Sequence, residues 1–365
     1  MPSIISISTY APPNTLTQDT TTEFARELFS ESFQDIERLL TVFSNAQISE
    51  RQFAVPMNWF KEDHTLKEKN DLYIQLATKY GAEGIKKCLN NRLFLKEEVD
   101  LKEIEAIILV SSSGMSTPSI DARIMNVLPF SPHTKRIPIW GLGCAGGAAG
   151  MSRAYEYCRA YPESNVLVVC IELCSLTFQR NDRSKSNLVG TSLFADGIAC
   201  ALVSGDHSSM VHNSNRSVRP VIRQTMSTLM PDTEEVMGWD VKDTGLHVVF
   251  SRNIPSIIKN WLKPNVDEFL ARNNLEAGQI DAFVAHPGGK KVLEAYEETL
   301  SIPETMTEVS RKVLNKHGNM SSPTVLYVLE QFMNQEMEPG SYGLMAALGP
   351  GFCSELVLLQ WEGVH

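Results

Sequence analysis

Pro138-Ile139-Trp140-Gly141-Leu142-Gly143-Cys144-Ala145-Gly146-Gly147-Ala148-Ala149-Gly150 is an apolar run that enters glycines, presents a cysteine and continues in small residues. It reads as a strand, a sharp turn and the start of a helix. The glycines let the backbone turn tightly and leave room beside the sulfur. The segment that follows, through Met151, Ala154, Tyr155 and Cys158, reads as a helix whose first N–H groups point at Cys144 and favour a thiolate. A free thiol with a pKa of roughly 8.5 is only a few per cent ionised at pH 7, and a value of about 6 makes the thiolate dominant. Cys144 is therefore read as a nucleophile. The structural alternative is a buried, inert thiol, and that is the reading given to Cys88, Cys158, Cys170, Cys174, Cys200 and Cys353.

Outward from this turn the chain alternates helices and strands. Met1–Ser8 reads as a first strand, residues 18–45 as a helix with Phe24, Leu28, Phe29, Phe33, Ile36, Leu39 and Leu40 at helical spacing, and Asp71–Cys88 as a second helix. Strands are expected at Ile104–Ser111, Arg136–Trp140, Asn165–Ile171 and Gly197–Ser204, with a helix near Ile120–Leu128. The polar stretch Gly205–Ser217 reads as a linker. The halves show a faint duplication: Ile104–Ser113 parallels Ile280–Gly289, and Gly197–Ser204 parallels Glu355–Trp361. The Cys144 turn parallels Gly318-Asn319-Met320-Ser321-Ser322 and the helix through Leu326, Leu329 and Phe332. Cys144 and Asn319 thus fall in matching turns of two similar halves, 1–210 and 211–365, in an α/β fold with buried sheets.

Ala285-His286-Pro287-Gly288-Gly289 ends the strand Asp281–Val284, where α/β folds place chemistry. Cysteine, histidine and asparagine make a coherent kit. The cysteine attacks a thioester and the histidine accepts or holds its proton. The asparagine, which is no base, steadies an enolate oxygen through its amide N–H.

Composition limits the function. The chain has 365 residues, 43% hydrophobic, and a formal charge of −10, which argues against a general nucleic-acid binder. No apolar stretch is long enough to span a membrane. The first residues lack the basic region of a secretory signal, and seven cysteines without a CxxC pair suit a reducing cytoplasm. The histidines do not pair at metal-ligand spacing, so no metal is expected.

Gly141–Gly150, Ala285–Gly289, Gly318–Ser322 and Gly349-Pro350-Gly351 together resemble the type III polyketide synthase family, the chalcone/stilbene synthase superfamily, with the bacterial alkylpyrone synthases as the nearest branch. The resemblance covers essentially the whole chain. It implies a thiolase-type αβαβα fold, a homodimer, and iterative decarboxylative condensation of malonyl-CoA onto an acyl-CoA starter without a carrier protein. CoA thioesters are then substrates, and no cofactor is implied.

By the same resemblance Cys144, His286 and Asn319 match the catalytic positions, and Phe194 matches a gate aromatic. Ser112, Ser113, Cys174, Thr177, Trp239 and Ser321 fall where the family lines its cavity. Glu172, Ser321 and Ser112 match positions that hydrogen bonds can link to influence cyclisation. Departures are informative. Val248 stands at the second gate aromatic, which points to a wider, half-aliphatic gate and to a fatty acyl-CoA starter. Trp239 replaces a small residue, and Thr117 replaces a larger one that plant members extend into the partner's cavity. Neutral residues along Leu39–Ala46 replace the basic residues that grip CoA, leaving Arg51, Lys290 and Lys291 as candidates. Two competing readings are a ketoacyl synthase III, with one condensation and a carrier protein, and a non-catalytic thiolase-fold scaffold that binds acyl chains.

Overall fold

The computed structural model describes residues 1–30, 33, 35–251 and 253–364. In chain order the strands are β1 (Ser3–Tyr10), β2 (Asn14–Thr17), β3 (Glu50–Phe53), β4 (Ala106–Val110), β5 (Lys135–Ile139), β6 (Asn165–Leu173), β7 (Asp196–Ser204), β8 (Val218–Leu229), β9 (Met237–Lys242), β10 (Gly245–Phe250), β11 (Ile280–Ala285), β12 (Tyr342–Gly349) and β13 (Cys353–Gly363). Nine of them form one sheet in the order β11-β12-β13-β8-β1-β7-β6-β4-β5. Its parallel pairs, β4 with β5 and β6 and β11 with β12, lie towards the two ends. The centre is antiparallel, and β1 joins the halves by pairing with both β7 and β8.

Side-chain alternation along the strands sorts the core into layers. Ile108 and Val110 of β4 and Val166, Val168 and Cys170 of β6 face one apolar layer, while Ile107, Leu109, Leu167, Val169 and Ile171 face another. Successive Cβ atoms point to opposite faces, and with both faces buried these strands read as unbroken apolar runs. The inner layer holds two helices, Gly146–Ala160 and Pro323–Asn334, through Ala148, Met151, Val325 and Leu329. Helix Leu66–Leu89 covers one outer face through Tyr73, Ala77 and Ile85. Helices Lys263–Arg272 and Lys290–Leu300 cover the other through Phe269, Leu293 and Tyr296. With the two halves of the sheet on either side of the β1–β8 seam counted as layers, the order helix, sheet, helix, sheet, helix is the thiolase-type αβαβα arrangement expected from the sequence.

Two expectations are corrected. The helix expected over 18–45 is two helices, Gln18–Phe29 and Ile36–Asn45, each with its own N-cap: Thr17 accepts from the amide of Thr20, and Asp35 from that of Arg38. Such caps satisfy amides that a helix start leaves unpaired; Glu31, Ser32 and Gln34 lie outside the described residues. Gly205–Ser217 is a packed turn, not a linker, with Met210 and Val211 buried and the amides of Lys96 and Glu97 bonded to Asn213. Among the described residues no helix is long and apolar enough to cross a membrane.

Candidate active site

The nucleophile turn is built from glycines that nothing larger can replace. Gly141 and Gly143 have φ of 93° and 46°, values at which L side chains are strained. A Cβ at Gly143 would meet Pro350 Cδ at 2.9 Å, and one at Gly349 would meet the Leu142 carbonyl at 2.3 Å. The Gly349-Pro350-Gly351 loop thus lies directly against the turn. Ser112 Oγ accepts the amides of Gly141 and Gly143 at 3.2 and 3.3 Å and fixes it from below. Cys144 sits in the short 3-10 turn Gly143–Ala145 at the foot of helix Gly146–Ala160, 7% exposed.

Asn319 follows Gly318, whose φ of 67° ends helix Glu308–His317. Its amide donates to the Leu193 carbonyl at 2.8 Å and its carbonyl accepts the Ala195 amide at 2.9 Å, which ties this turn to Phe194. The side-chain Oδ1 accepts the Ser321 amide at 2.8 Å and faces Cys144 Sγ at 3.8 Å, while Nδ2 donates to the Gly288 carbonyl at 3.1 Å. His286 leaves the end of β11 with its backbone amide on the Ala346 carbonyl. Both ring nitrogens are buried without a protein partner. Cys144, His286 and Asn319 line one cavity of about 390 Å³, together with Phe250, Lys290, Lys291 and Tyr296.

Burial decides the ionisation of this site. It pushes the Cys144 thiol up to about 11, against the opposing hydrogen bonds of Ser321 and Asn319. It pushes the His286 imidazole down to about 3. The expectation of a thiolate favoured by the helix start is therefore corrected. A helix end contributes on the order of 1 kcal/mol, less than one pKa unit, and desolvation of the sulfur outweighs it. Burial thus opposes the charged form of both side chains.

The remaining candidates separate into groups. Phe194, Val248, Trp239, Cys174 and Thr177 line a second, apolar cavity of about 60 Å³. The Phe194 ring stands 5.9 Å from Trp239 and 5.5 Å from Phe250. Phe250 was not singled out in the sequence, yet it lies two residues beyond Val248 on the same face of β10. Phe250 adds a ring beside Phe194, while Val248 lines the cavity together with Phe194 as expected of a gate position. Ser113 Oγ accepts the Leu173 amide at 2.8 Å. Glu172 accepts the amides of Ser112 and Ser113 and the hydroxyl of Ser322 at 2.9 Å. The expected link from Glu172 to Ser321 is absent: Ser321, at φ 60°, turns to the Cys144 side, and Ser322 takes the carboxylate. Burial raises Glu172 to about 7.

Arg51 does not reach the cavity of Cys144. It is 1% exposed and donates to the carbonyls of Thr191 and Phe194 at 2.7 and 2.8 Å and to Gln18 Oε1 at 3.0 Å. Burial lowers it to about 9, with Asp196 opposing. Arg51 is a strut under the gate, and its assignment as a CoA contact is withdrawn. Lys290 and Lys291 do line the cavity, together with Val42, Asn45 and Ala46. Thr117 is exposed between β4 and helix Ile120–Met125 and lines none of these cavities in its own chain.

Residues 2–207 match the N-terminal domain of the chalcone and stilbene synthases, and residues 221–361 match the C-terminal domain of the same family. The chain is 50% identical over 360 residues to a Bacillus subtilis (strain 168) protein that carries a provisional chalcone synthase name, covering 98% of each. It is 32% identical to 1,3,6,8-tetrahydroxynaphthalene synthase of Streptomyces peucetius subsp. caesius, over 98% of this chain and 93% of that one. It is 31% identical to the alpha-pyrone synthesis polyketide synthase-like Pks18 of Mycobacterium tuberculosis, over 98% and 90%. Among solved structures, 1,3,6,8-tetrahydroxynaphthalene synthase from Streptomyces coelicolor A3(2), a bacterial type III polyketide synthase, superposes with a TM-score of 0.89 at 29% identity over 99% of both chains.

Proposed function

The chain belongs to the chalcone and stilbene synthase family of type III polyketide synthases, acyltransferases that use acyl-CoA and malonyl-CoA, and from that premise we propose that its starter is a fatty acyl-CoA and its product a pyrone-type lactone. The observation that carries this reading is the apolar cavity beyond Phe194. Leu16, Phe24, Phe53, Met57 and Phe60 make most of its wall apolar, beside the polar Thr21, Asn187 and Thr191. A relative at 31% identity is named for alpha-pyrone synthesis.

In this reading the Cys144 proton passes to a neutral His286, whose unpartnered ring nitrogens leave it able to accept. The thiolate attacks the acyl-CoA carbonyl, the C–S bond to CoA breaks, and the CoA thiolate takes the proton from His286. The acyl chain, now on Cys144, extends past Phe194. Malonyl-CoA follows into the same cavity and loses CO2. The resulting enolate oxygen is held by N–H groups of Asn319 and His286 in a site that excludes water. The enolate carbon attacks the Cys144 thioester and expels the thiolate, leaving a chain two carbons longer on CoA. Return of this chain to Cys144 starts the next round. Attack of an enol oxygen on the thioester carbonyl releases the lactone. Every step is served by these side chains and CoA thioesters, so the proposal includes no metal or nicotinamide.

Lys290 and Lys291 are proposed to meet the phosphates of CoA at the cavity mouth. A homodimer formed in the cytoplasm is also proposed. The exposed Met115, Val127 and Trp140 near the Thr117 loop support a partner there, and sedimentation of the purified protein tests it.

The decisive experiment is mass spectrometry of products from malonyl-CoA and a panel of acyl-CoA starters, with Cys144→Ala as the control. Pyrones carrying an alkyl chain, absent from the variant, are expected. Products from aromatic starters only would overturn the fatty acyl assignment. Product that forms only with an acyl carrier protein would favour the single-condensation alternative.

A further inference from the structure

Tyr296 stands in the middle of helix Lys290–Leu300, its ring packed edge to face against Phe283 at 5.5 Å and 82°. The residue is fully buried and lines the cavity of Cys144, His286 and Asn319. Its hydroxyl has no protein partner, and it lies close enough to Cys144 for a negative charge on one to be felt by the other. Packing against Phe283 needs only the ring, which a phenylalanine would supply. Native proteins rarely leave a buried hydroxyl unpaired, because its desolvation is then uncompensated. The partner that the protein does not provide can come from what enters the cavity.

Counting donors points to one group. Malonyl-CoA brings two polar groups beside the Cys144 sulfur: the thioester oxygen, and a carboxylate that an acyl-CoA starter lacks. Asn319 Nδ2 already gives one N–H to the Gly288 carbonyl at 3.1 Å and has one left. His286, whose charged form burial opposes, has a single N–H when neutral. Those two serve the thioester oxygen, where negative charge develops. The carboxylate then lies among Leu193, Ile258, Val292 and Leu348, and a desolvated charge without a donor is strongly disfavoured. Lys290 pairs with Glu294 at 3.5 Å and Lys291 is exposed, so neither offers a buried cation. The Tyr296 O–H is the donor that remains. Burial and the neighbouring Cys144 raise the phenol well above its ordinary range, which keeps it a donor at neutral pH.

We propose that the Tyr296 hydroxyl donates to the carboxylate of malonyl-CoA and so selects and orients the extender. This rests on the use of malonyl-CoA set out above, and not on the starter or the ring formed. In the step, the C–C bond to the carboxylate breaks, its electron pair passes into the thioester as the enolate, and CO2 leaves uncharged. Tyr296 keeps its proton throughout. Its bond is made to the bound ground state and weakens as the carboxylate loses charge. Such a contact lowers KM without raising kcat.

The test compares wild type with Tyr296→Phe, which removes one oxygen and keeps the ring. Conversion of malonyl-CoA to acetyl-CoA gives KM and kcat for decarboxylation, with kcat expressed per Cys144 that intact mass shows to be acylatable. Acylation of Cys144 by hexanoyl-CoA gives the starter KM in the same preparation. The ratio of malonyl-CoA KM to hexanoyl-CoA KM is expected to rise about tenfold, as for loss of one hydrogen bond to a charged group, with kcat not reduced. A ratio within about twofold of wild type would overturn the assignment, including the case in which both KM values rise alike and mark a contact to the CoA arm. A fall in kcat of about 10²-fold at unchanged KM would also overturn it, moving the hydroxyl to the enolate oxygen. A wild type that does not decarboxylate malonyl-CoA would overturn the use of that extender and this proposal with it.

Discussion

The carboxylate of Glu172 accepts the hydroxyl of Ser322 at 2.9 Å. This contact joins the two turns on which the site depends. On one side Glu172 holds the amides of Ser112 and Ser113, and Ser112 Oγ in turn holds the nucleophile turn. On the other side Ser322 lies three residues beyond Asn319, at the foot of helix Pro323–Asn334.

Removing the hydroxyl leaves a buried carboxylate one donor short. Ser322→Ala is expected to cost about 1–3 kcal/mol of stability. Denaturant unfolding measures it, and a loss below a few tenths would show that the contact contributes nothing.

Glu172 also gives a pH signature. Burial raises it from 4.5 to about 7 in the folded protein, so the native state keeps a proton that the unfolded chain has released. The resulting stability is fully present below about pH 4.5 and lost as pH rises through about 7. The Tm of wild type relative to Glu172→Gln should therefore fall steadily across that window. A flat difference would mean that the carboxyl titrates alike in both states.

With the Cys144 thiol at about 11 and the His286 imidazole at about 3, the protein without substrate added should react slowly with iodoacetamide at neutral pH. Its rate should still be climbing above pH 9. A plateau reached by pH 7 would instead reveal a preformed thiolate–imidazolium pair.

Asn319→Ala is expected to reduce malonyl-CoA decarboxylation by about 10²-fold, as loss of one oxyanion donor does, with a smaller effect on Cys144 acylation. Single-turnover measurements separate the two steps, and equal losses would refute the division of labour. Reversing charge at Lys290 and Lys291 should raise the acyl-CoA KM about tenfold, roughly 1.4 kcal/mol, with little change in kcat. An unchanged KM would remove both residues from CoA binding.

What could be read from the sequence was what local chemistry marks. Cys144, His286 and Asn319 each sit beside glycine or proline at the end of a regular element, and that punctuation survives without coordinates. The layered core was equally readable, since the central residues of β4, β6 and β7 form unbroken apolar runs. Burial of a charge was not. Arg51 reads as a free cation until Thr191, Phe194 and Gln18 are brought around it. A register of one residue was also invisible: the left-handed φ at Ser321 alone decides that Ser322 meets Glu172. Cys144 and Tyr296, remote in sequence, come to line one cavity only through tertiary packing.

The close approach of the two central helices at Gly147 and Ser322 has a mechanical consequence. A Cβ at Gly147 would meet the Ser322 carbonyl at 2.3 Å, so backbone rests on backbone where the halves touch, and β1 stitches β7 to β8 across the same seam. Such a joint has no hinge to bend and no rotamer to exchange. The turns that carry Cys144 and Asn319 are thus held together by backbone contact at Gly147 and Ser322.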